Sequence, residues 1–220
     1  MIPITELSKE RAARLKYILF DIDGTVTTDG KLTAAAYSAM WDFACSGYGV
    51  IPVTGRPAGW CDLIIREWPV QAVVGENGAF AYYAEDAQIK TMVHPSAAGP
   101  ELRRKLEEVK RACLEKVPGC RVARDQFARI YDLAVDFGED PPHLGLEAAE
   151  RIRDCCVSMG AQAKISSIHV NAWFGEYNKL ETTRMFLTKV LGESDLAASC
   201  IFFGDSPNDC LLYTSDAADD

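Results

Sequence analysis

The chain has 220 residues, of which 48% are hydrophobic and 25% are charged, and its formal net charge is −9. This composition is typical of a globular protein with a full core, and no apolar run approaches the length of a membrane span. The acidic balance argues against a nucleic-acid-binding protein, whose surface must attract phosphates.

The first part of the chain alternates between strand and helix patterns. Short apolar runs at 17–22, 49–53 and 71–74 are typical of buried strands, and helical patterns at 34–45 and 60–67 separate them. Strands that alternate with helices form a parallel sheet with right-handed crossovers. This part of the sequence therefore predicts an open α/β core.

A hairpin is predicted between the first strand and the first helix. Asp29 and Gly30 form an Asp-Gly pair between β-prone residues, which is a strong hairpin signal. Thr33 stands where the N-cap of the following helix belongs, and Gly47 stands where that helix should stop.

The pattern changes after residues 75–78, which read Gly-Glu-Asn-Gly. The segments predicted to follow are antiparallel strands at 79–83 and 89–93, an amphipathic helix at 101–116, a half-exposed strand at 130–137, a helix at 146–159, and strands at 163–168 and 169–174. Such a series is typical of a separate α+β domain. We predict that residues 80–174 form it.

The last predicted elements resume the first pattern, with a helix at 180–191 and a buried strand at 200–203. We therefore predict an α/β protein with a three-layer, Rossmann-like parallel sheet. Its core would be discontinuous in sequence, with residues 1–79 and 175–209 on either side of the inserted domain.

Four groups of polar residues fall at the ends of the parallel elements, where open α/β sheets place their sites. They are residues 21–25 (Asp-Ile-Asp-Gly-Thr), residues 54–56 (Thr-Gly-Arg), Lys179 ahead of a helix, and residues 204–209 (Gly-Asp-Ser-Pro-Asn-Asp). Two carboxylates at a strand end can act as nucleophile and acid/base. The Thr-Gly-Arg turn suits phosphoryl oxygens, and the last loop offers oxygen ligands to a hard cation such as Mg²⁺.

Each group has an ordinary structural explanation as well. Asp-x-Asp is common in solvated loops, Thr-Gly-Arg is a usual turn composition, and a single lysine is more often a surface residue. The loop at 204–209 could be a turn that caps a helix. The four groups together, in this order and each next to a buried strand or a helix, favour a functional site.

These groups resemble the four motifs of the haloacid dehalogenase superfamily of phosphohydrolases. The pairing of Asp-x-Asp-Gly-Thr at 21–25 with Gly-Asp-x-x-Asn-Asp at 204–209 is specific to that family, and the resemblance covers the chain up to Asp209. The insertion between the second and third groups resembles a second-position cap. The Gly-Glu-Asn-Gly-Ala run at 75–79 is similar to the Cof-like branch, subfamily IIB.

The resemblance implies a Mg²⁺-dependent phosphatase acting on a small phosphorylated metabolite, with sugar phosphates favoured. Asp21 would attack phosphorus to form an aspartyl-phosphate, and Asp23 would be the general acid and base. The resemblance implies further sets of binding residues: Thr54, Gly55 and Lys179 for the phosphoryl group; and Asp21, Asp23 through its backbone carbonyl, Asp205 and Asp209 for Mg²⁺. From their positions in the sequence we also predict substrate contacts by Asn77, Arg56, His169 and Asn171.

Two alternative functions remain open at this point. A phosphomutase of the phosphomannomutase type would return the phosphoryl group to another sugar hydroxyl. A receiver-like signalling domain would also accept phosphate on an aspartate at a strand end, but it needs a long-lived acyl phosphate, and a dedicated acid/base such as Asp23 opposes that.

Further expectations concern the cysteines and the ends of the chain. The eight cysteines lack the short paired spacings of a zinc site, and residues 1–16 lack the apolar stretch of a signal peptide. We therefore expect reduced thiols in a cytoplasmic protein. Residues 210–220 resemble the translation of a sequencing-library adapter. We expect this segment to be non-native and the native C-terminus to be missing.

Overall fold

The structure is a computed structural model that describes residues 6–205. The chain divides into two compact units. Unit 1 comprises the described residues of Met1–Arg56, Trp60–Met92 and Asn178–Asp220, and unit 2 comprises Pro57–Gly59 and Val93–Tyr177. Within residues 6–205, none of the helices combines the length and the apolar character that crossing a bilayer requires.

The elements follow one another in three groups along the chain. The first group is α1 (Lys9–Ala12), β1 (Tyr17–Phe20), β2 (Thr27–Thr28), β3 (Lys31–Leu32), α2 (Ala34–Cys45), β4 (Gly49–Pro52), α3 (Ala58–Glu67), β5 (Ala72–Gly75), β6 (Phe80–Glu85) and β7 (Gln88–Val93). The second group is α4 (Pro100–Lys116), β8 (Arg121–Val122), β9 (Leu133–Asp136), α5 (Gly145–Ser158), β10 (Gln162–Ile165) and β11 (His169–Trp173). The third group is α6 (Lys179–Lys189), α7 (Leu196–Ser199) and β12 (Cys200–Phe203).

A parallel sheet in the order β12-β1-β4 lies at the centre of unit 1. In its register Phe20 stands beside Phe203 on one side and Pro52 on the other, so the three strands end level with one another. A parallel bridge from Val53 to Val74 continues the same direction into β5. The predicted parallel α/β core is confirmed. The loops that follow β1, β4 and β12 therefore begin side by side at the carboxyl end of the sheet.

The predicted hairpin is also present, as β2 paired antiparallel with β3. Thr33 caps α2, because its hydroxyl accepts a hydrogen bond from the Ala36 N–H at 3.2 Å. This bond satisfies one of the N–H groups that the first turn of a helix leaves without a partner. The chain after β1 is therefore held in a compact flap before it returns as α2.

The boundary between the units differs from the predicted one at residue 80. Strand β6, and β7 as far as Met92, belong to unit 1, and β6 pairs antiparallel with β5 in the register Ala72–Tyr83 to Gly75–Phe80. The Tyr83 ring also packs against Phe186 of α6, with ring centroids 5.4 Å apart. After Met92 the chain enters unit 2, which therefore begins at Val93 and not at residue 80.

Unit 2 is an α+β domain with an antiparallel sheet in the order β10-β11-β9-β8. Helices α4 and α5 contact each other, and they bury one core with the sheet. Its buried side chains include Val109 of α4, Ile152 of α5 and Val135 of β9. Burial of this apolar area supplies most of the stability of such a domain.

One strand of unit 2 is more buried than the sequence indicates. All four residues of β9 are buried, although a half-exposed strand is predicted at 130–137. The strand lies between β11 and β8, and a short 3₁₀ turn, Arg124–Ala128, is bound to it as well. The Gln126 side chain accepts a hydrogen bond from the Ala134 N–H at 2.7 Å and donates one to the Asp132 carbonyl at 2.9 Å.

The seven cysteines within the described residues are free thiols. In unit 2 the sulfur atoms of Cys113 and Cys156 lie 3.6 Å apart in the core. Burial raises the pKa of Cys120 to about 11. Since the thiolate is the reactive form of cysteine, this thiol is unreactive at neutral pH. The side chain packs as a small hydrophobic group.

We expect Ile152→Ala to lower the free energy of unfolding by about 3 kcal/mol, because it removes a fully buried side chain and leaves a cavity. Leu146→Ala is the matched control, since Leu146 lies on the same helix with 64% of its surface exposed. Urea unfolding followed by circular dichroism measures both changes. Equal losses for the two variants would contradict the assigned core of unit 2.

Candidate active site

Asp21 lies directly after β1, at the carboxyl end of the parallel sheet of unit 1. Its N–H donates to the Phe203 carbonyl of β12 at 2.9 Å, which fixes the backbone there. Its Oδ1 accepts a hydrogen bond from Lys179 Nζ at 3.0 Å. The two side chains are buried and stand 158 residues apart in the chain. The fold therefore brings together the first and third predicted groups.

Contacts at the start of α6 determine the position of Lys179. The Asn178 side chain caps the helix by accepting from the Glu181 N–H at 2.9 Å. One turn later the Thr182 hydroxyl donates to the Gly78 carbonyl at 2.5 Å. Gly78 has a φ of +103°, and a Cβ added there would lie 2.3 Å from the backbone carbonyl oxygen of Asn178. A glycine is thus required for α6 to approach this turn.

The Thr-Gly-Arg turn after β4 is bound to the Glu-Asn-Gly turn after β5. The Asn77 N–H donates to the Thr54 carbonyl and the Glu76 N–H to the Arg56 carbonyl, both at 3.1 Å. Asn77 Oδ1 lies 3.0 Å from where a Cβ on Gly55 would be. Thr54 is fully buried, and its hydroxyl accepts from the Arg56 N–H at 3.2 Å. Hydrogen bonds therefore join the predicted phosphate-binding turn to Asn77.

Arg56 forms a bidentate ion pair with Asp23. Its Nη2 and Nε atoms lie 2.6 and 3.1 Å from the two carboxylate oxygens. The guanidinium also lies over the Trp60 ring at 5.6 Å. Burial alone would lower the pKa of Arg56, but hydrogen bonding and attraction to Asp23 raise it above its ordinary value. The Asp23 side chain is 57% exposed, so this pair contributes little to stability.

Asp205 follows β12 and lies beside the loop that carries Asp23. A Cβ added at Gly24 would lie 2.1 Å from Asp205 Oδ2, and Gly24 has a φ of +79°. Only glycine satisfies both conditions without strain. The loops after β1 and β12 thus bring the first and fourth predicted groups together. Asp209, the remaining predicted metal ligand, lies outside the described residues.

The buried Asp21–Lys179 pair is not a favourable choice for stability alone. Removing two charges from water costs several kcal/mol per ion, and well-packed apolar residues are often as stable or more so. Charged groups held in this way are concentrated at functional sites. The energetics therefore favour a chemical role for Asp21 and Lys179.

His169 and Asn171, the predicted substrate residues of the inserted domain, lie in unit 2. His169 Nε2 is 3.0 Å from Glu139 Oε2, and Asn171 Nδ2 is 3.4 Å from Asp132 Oδ2. Both side chains thus have acidic partners within their own unit. Their contact with substrate stays a prediction.

Two features of the site are absent from the sequence interpretation. Arg56 is predicted only as a substrate residue, whereas the structure pairs it with Asp23. Glu76 is fully buried with a φ of +42°, a rare conformation for a residue other than glycine. The glycines of the Gly-Glu-Asn-Gly run at 75–78 could have indicated an unusual turn at Glu76. Nothing in the neighbouring sequence indicates that the Glu76 carboxylate is buried.

Comparison with known proteins gives one partial sequence match to a family and several matches of fold. Residues 18–115 match the haloacid dehalogenase-like hydrolase family. The comparison with curated proteins gives no match. The sequence match starts in β1 and includes the groups at 21–25 and 54–56.

Solved structures share the fold over most of the chain. A protein from Thermoplasma acidophilum superposes with a TM-score of 0.69 at 19% identity, covering 90% of this chain and 80% of that one. A sugar phosphatase of HAD subclass IIB gives 0.62 at 14% identity, covering 90% and 83%. The sucrose-phosphatase of Synechocystis, solved with sucrose and phosphate, gives 0.59 at 14% identity, covering 92% and 80%. These structures confirm the predicted fold.

Proposed function

We propose that this chain is a haloacid dehalogenase-like hydrolase and, more closely, a Mg²⁺-dependent phosphatase that acts on a small phosphorylated metabolite, with a sugar phosphate as the favoured substrate class. The observation that carries the proposal is the buried pair of Asp21 and Lys179 at the carboxyl end of β1. It supplies an anionic nucleophile beside a cation that can bind phosphoryl oxygens.

The proposed reaction has two steps. An Asp21 carboxylate oxygen attacks phosphorus, the P–O bond to the substrate breaks, and Asp23 gives its proton to the departing alcohol. Asp23 then takes a proton from water, whose oxygen attacks phosphorus. The bond between phosphorus and Asp21 breaks, which releases inorganic phosphate and restores the Asp21 carboxylate. Asp23 suits this role because it is partly exposed and lies two residues from the nucleophile.

The residues at this edge of the sheet fit a hard divalent cation. Asp21 and Asp205 offer carboxylate oxygens, and the loop that carries Asp23 passes against Asp205 at Gly24. Oxygen donors of this kind suit Mg²⁺. We propose that Asp21, the Asp23 carbonyl and Asp205 hold the ion, with Asp209 as a further ligand. When bound, Mg²⁺ would offset charge on the phosphoryl oxygens and the nucleophile.

Thr54, Gly55 and Lys179 are the proposed contacts of the phosphoryl group, with Asn77 and Arg56 beside them. Support comes from the hydrogen bonds that hold the Thr54 turn and Asn77 together. The sugar-phosphate assignment is supported by the sugar phosphatase and the sucrose-phosphatase that share the fold. We further propose that unit 2 corresponds to the family's cap and selects the leaving group.

Phosphate release from p-nitrophenyl phosphate and from a panel of hexose and disaccharide phosphates tests the proposal. We expect many turnovers per chain with Mg²⁺ and loss of turnover with a chelator, because a hard cation is required to offset the charge of the reacting anions. Formation of an isomeric hexose phosphate without phosphate release would favour the phosphomutase. One stable phosphorylation per chain would favour the receiver-like domain.

A further inference from the structure

Three potential metal ligands lie together in unit 2. They are Asp136 at the end of β9, Glu139 in the turn that follows, and His169 at the start of β11. One ligand atom from each lies within 4.8 Å of the other two. Asp136 and His169 are buried and Glu139 is partly buried. The proposed phosphatase chemistry uses neither acid.

The backbone holds this cluster in place. Asp136 and His169 are direct partners in the antiparallel register of β9 and β11. The turn after β9 is bound to the same strand pair, because the Gly138 N–H donates to the Ile168 carbonyl at 3.1 Å. Directly opposite residues of an antiparallel pair have neighbouring side chains, so the topology places the His169 imidazole beside the Asp136 carboxylate.

The Asp136 carboxylate has a fixed orientation. Its Oδ1 accepts from the Gly138 N–H at 2.8 Å and the Glu139 N–H at 2.6 Å. Its Oδ2 is near Arg121 Nε at 3.9 Å, which is too long for a hydrogen bond. The backbone therefore anchors one oxygen and fixes the orientation of the carboxylate. Anchoring of this kind orients metal ligands in proteins.

Glu139 and His169 supply the other two donor atoms. Glu139 Oε2 accepts from the Arg124 N–H at 3.2 Å and lies 3.0 Å from His169 Nε2. Arg124 pairs with Asp140 at 2.7 Å and is also attracted by Asp136 and Glu139. The three carboxylates of Asp136, Glu139 and Asp140 therefore outweigh the two guanidinium groups of Arg121 and Arg124 around the cluster. A hydrogen bond between His169 and Glu139 would explain the position of His169 Nε2. It would not explain why a donor atom of Asp136 also lies within 4.8 Å of the donor atoms of both residues.

We propose that Asp136, Glu139 and His169 form a binding site for a first-row transition-metal ion, with Zn²⁺ as the probe. An imidazole nitrogen with two carboxylates is a donor set that Zn²⁺ accepts, whereas Mg²⁺ and Ca²⁺ prefer oxygen ligands alone. Three protein ligands would leave a further position for water. The site lies within unit 2 and does not depend on the proposed phosphatase function.

Equilibrium dialysis of the full chain against Zn²⁺, in excess Mg²⁺, tests the site. We expect one equivalent of Zn²⁺ in the wild type and in Asp21→Asn, and at least about a hundredfold weaker binding in His169→Ala. His143→Ala is the matched control, because His143 is exposed in the same unit. Absence of Zn²⁺ binding by the wild type, or equal affinity in His169→Ala, would overturn the proposal.

Two further measurements control for misfolding of the variants and for binding of Zn²⁺ by the cysteines. Glu139→Gln keeps the shape of the side chain but removes the charge, so a folded Glu139→Gln variant should lose both the affinity and the Zn²⁺-induced rise in Tm. Retention of both would refute the site. Substitution with Co²⁺ should give no thiolate charge-transfer absorption, because the proposed donors are nitrogen and oxygen. Such a band would assign the metal to the cysteines instead.

Discussion

Asp21→Asn is expected to lower kcat by about 10⁴-fold or more while leaving the fold intact. The amide has nearly the same volume as the carboxylate and can still accept a hydrogen bond from Lys179 Nζ, which lies 3.0 Å from Oδ1. It is a very poor nucleophile towards phosphorus, so the covalent step is lost. Steady-state phosphate release and circular dichroism measure the two parts of this expectation.

Asp29→Asn is the matched control for that experiment. Asp29 lies in the β2–β3 turn with a φ of +50°, a conformation that asparagine also tolerates. The same change of charge and atom type there should leave kcat within about twofold, since surface substitutions away from special features have small effects. Near-wild-type turnover by Asp21→Asn would remove Asp21 from the proposed mechanism.

The two aspartates of the first group have different environments, and these environments suit different roles. Asp21 is 7% exposed and is held by a buried lysine, which keeps its carboxylate in one orientation. The Asp23 side chain is 57% exposed and is paired with Arg56 on the surface. A nucleophile benefits from a fixed position. An acid/base group must exchange protons with water and with the leaving alcohol, so partial exposure suits it.

The sequence predicts those elements well whose causes are local. The bounds of α2 follow from the Thr33 cap and the glycine after the helix, and β12 is a short apolar run that ends at Gly204. The order of strands and helices gives the parallel sheet, because right-handed crossovers leave few alternatives. The grouping of Asp21, Lys179 and Asp205 at one edge then follows from the fold.

Side-chain partners and unit boundaries could not be predicted in the same way. The Asp23–Arg56 pair joins residues 33 positions apart, and His169–Glu139 joins residues 30 apart. In neither pair does the sequence around one residue identify the other residue as its partner. The sequence predicts the antiparallel strand pair at 79–93, but it does not predict that β5 joins this pair as the third strand of the sheet. Both β5 and β6 pack against α6, which comes about a hundred residues later in the chain.

Gly24→Ala is expected to lower kcat/KM by about a hundredfold or more. The added methyl group would lie 2.1 Å from Asp205 Oδ2, so Asp205 or the loop after β1 must move by more than an ångström to reach normal contact. A displacement of that size at a catalytic site costs about 10²-fold in rate. The φ of +79° adds about 1–2 kcal/mol of backbone strain.

Gly30→Ala separates the two causes. Gly30 has a φ of +71°, but nothing lies within 4 Å of an added Cβ. It should therefore show the backbone strain as a lower Tm with little change in kcat/KM. Gly24→Ala should show a similar strain together with the catalytic loss and a higher Mg²⁺ concentration for half-maximal rate, because Asp205 is a proposed ligand. Equal kinetics for the two variants would mean that the contact between Gly24 and Asp205 has no part in catalysis.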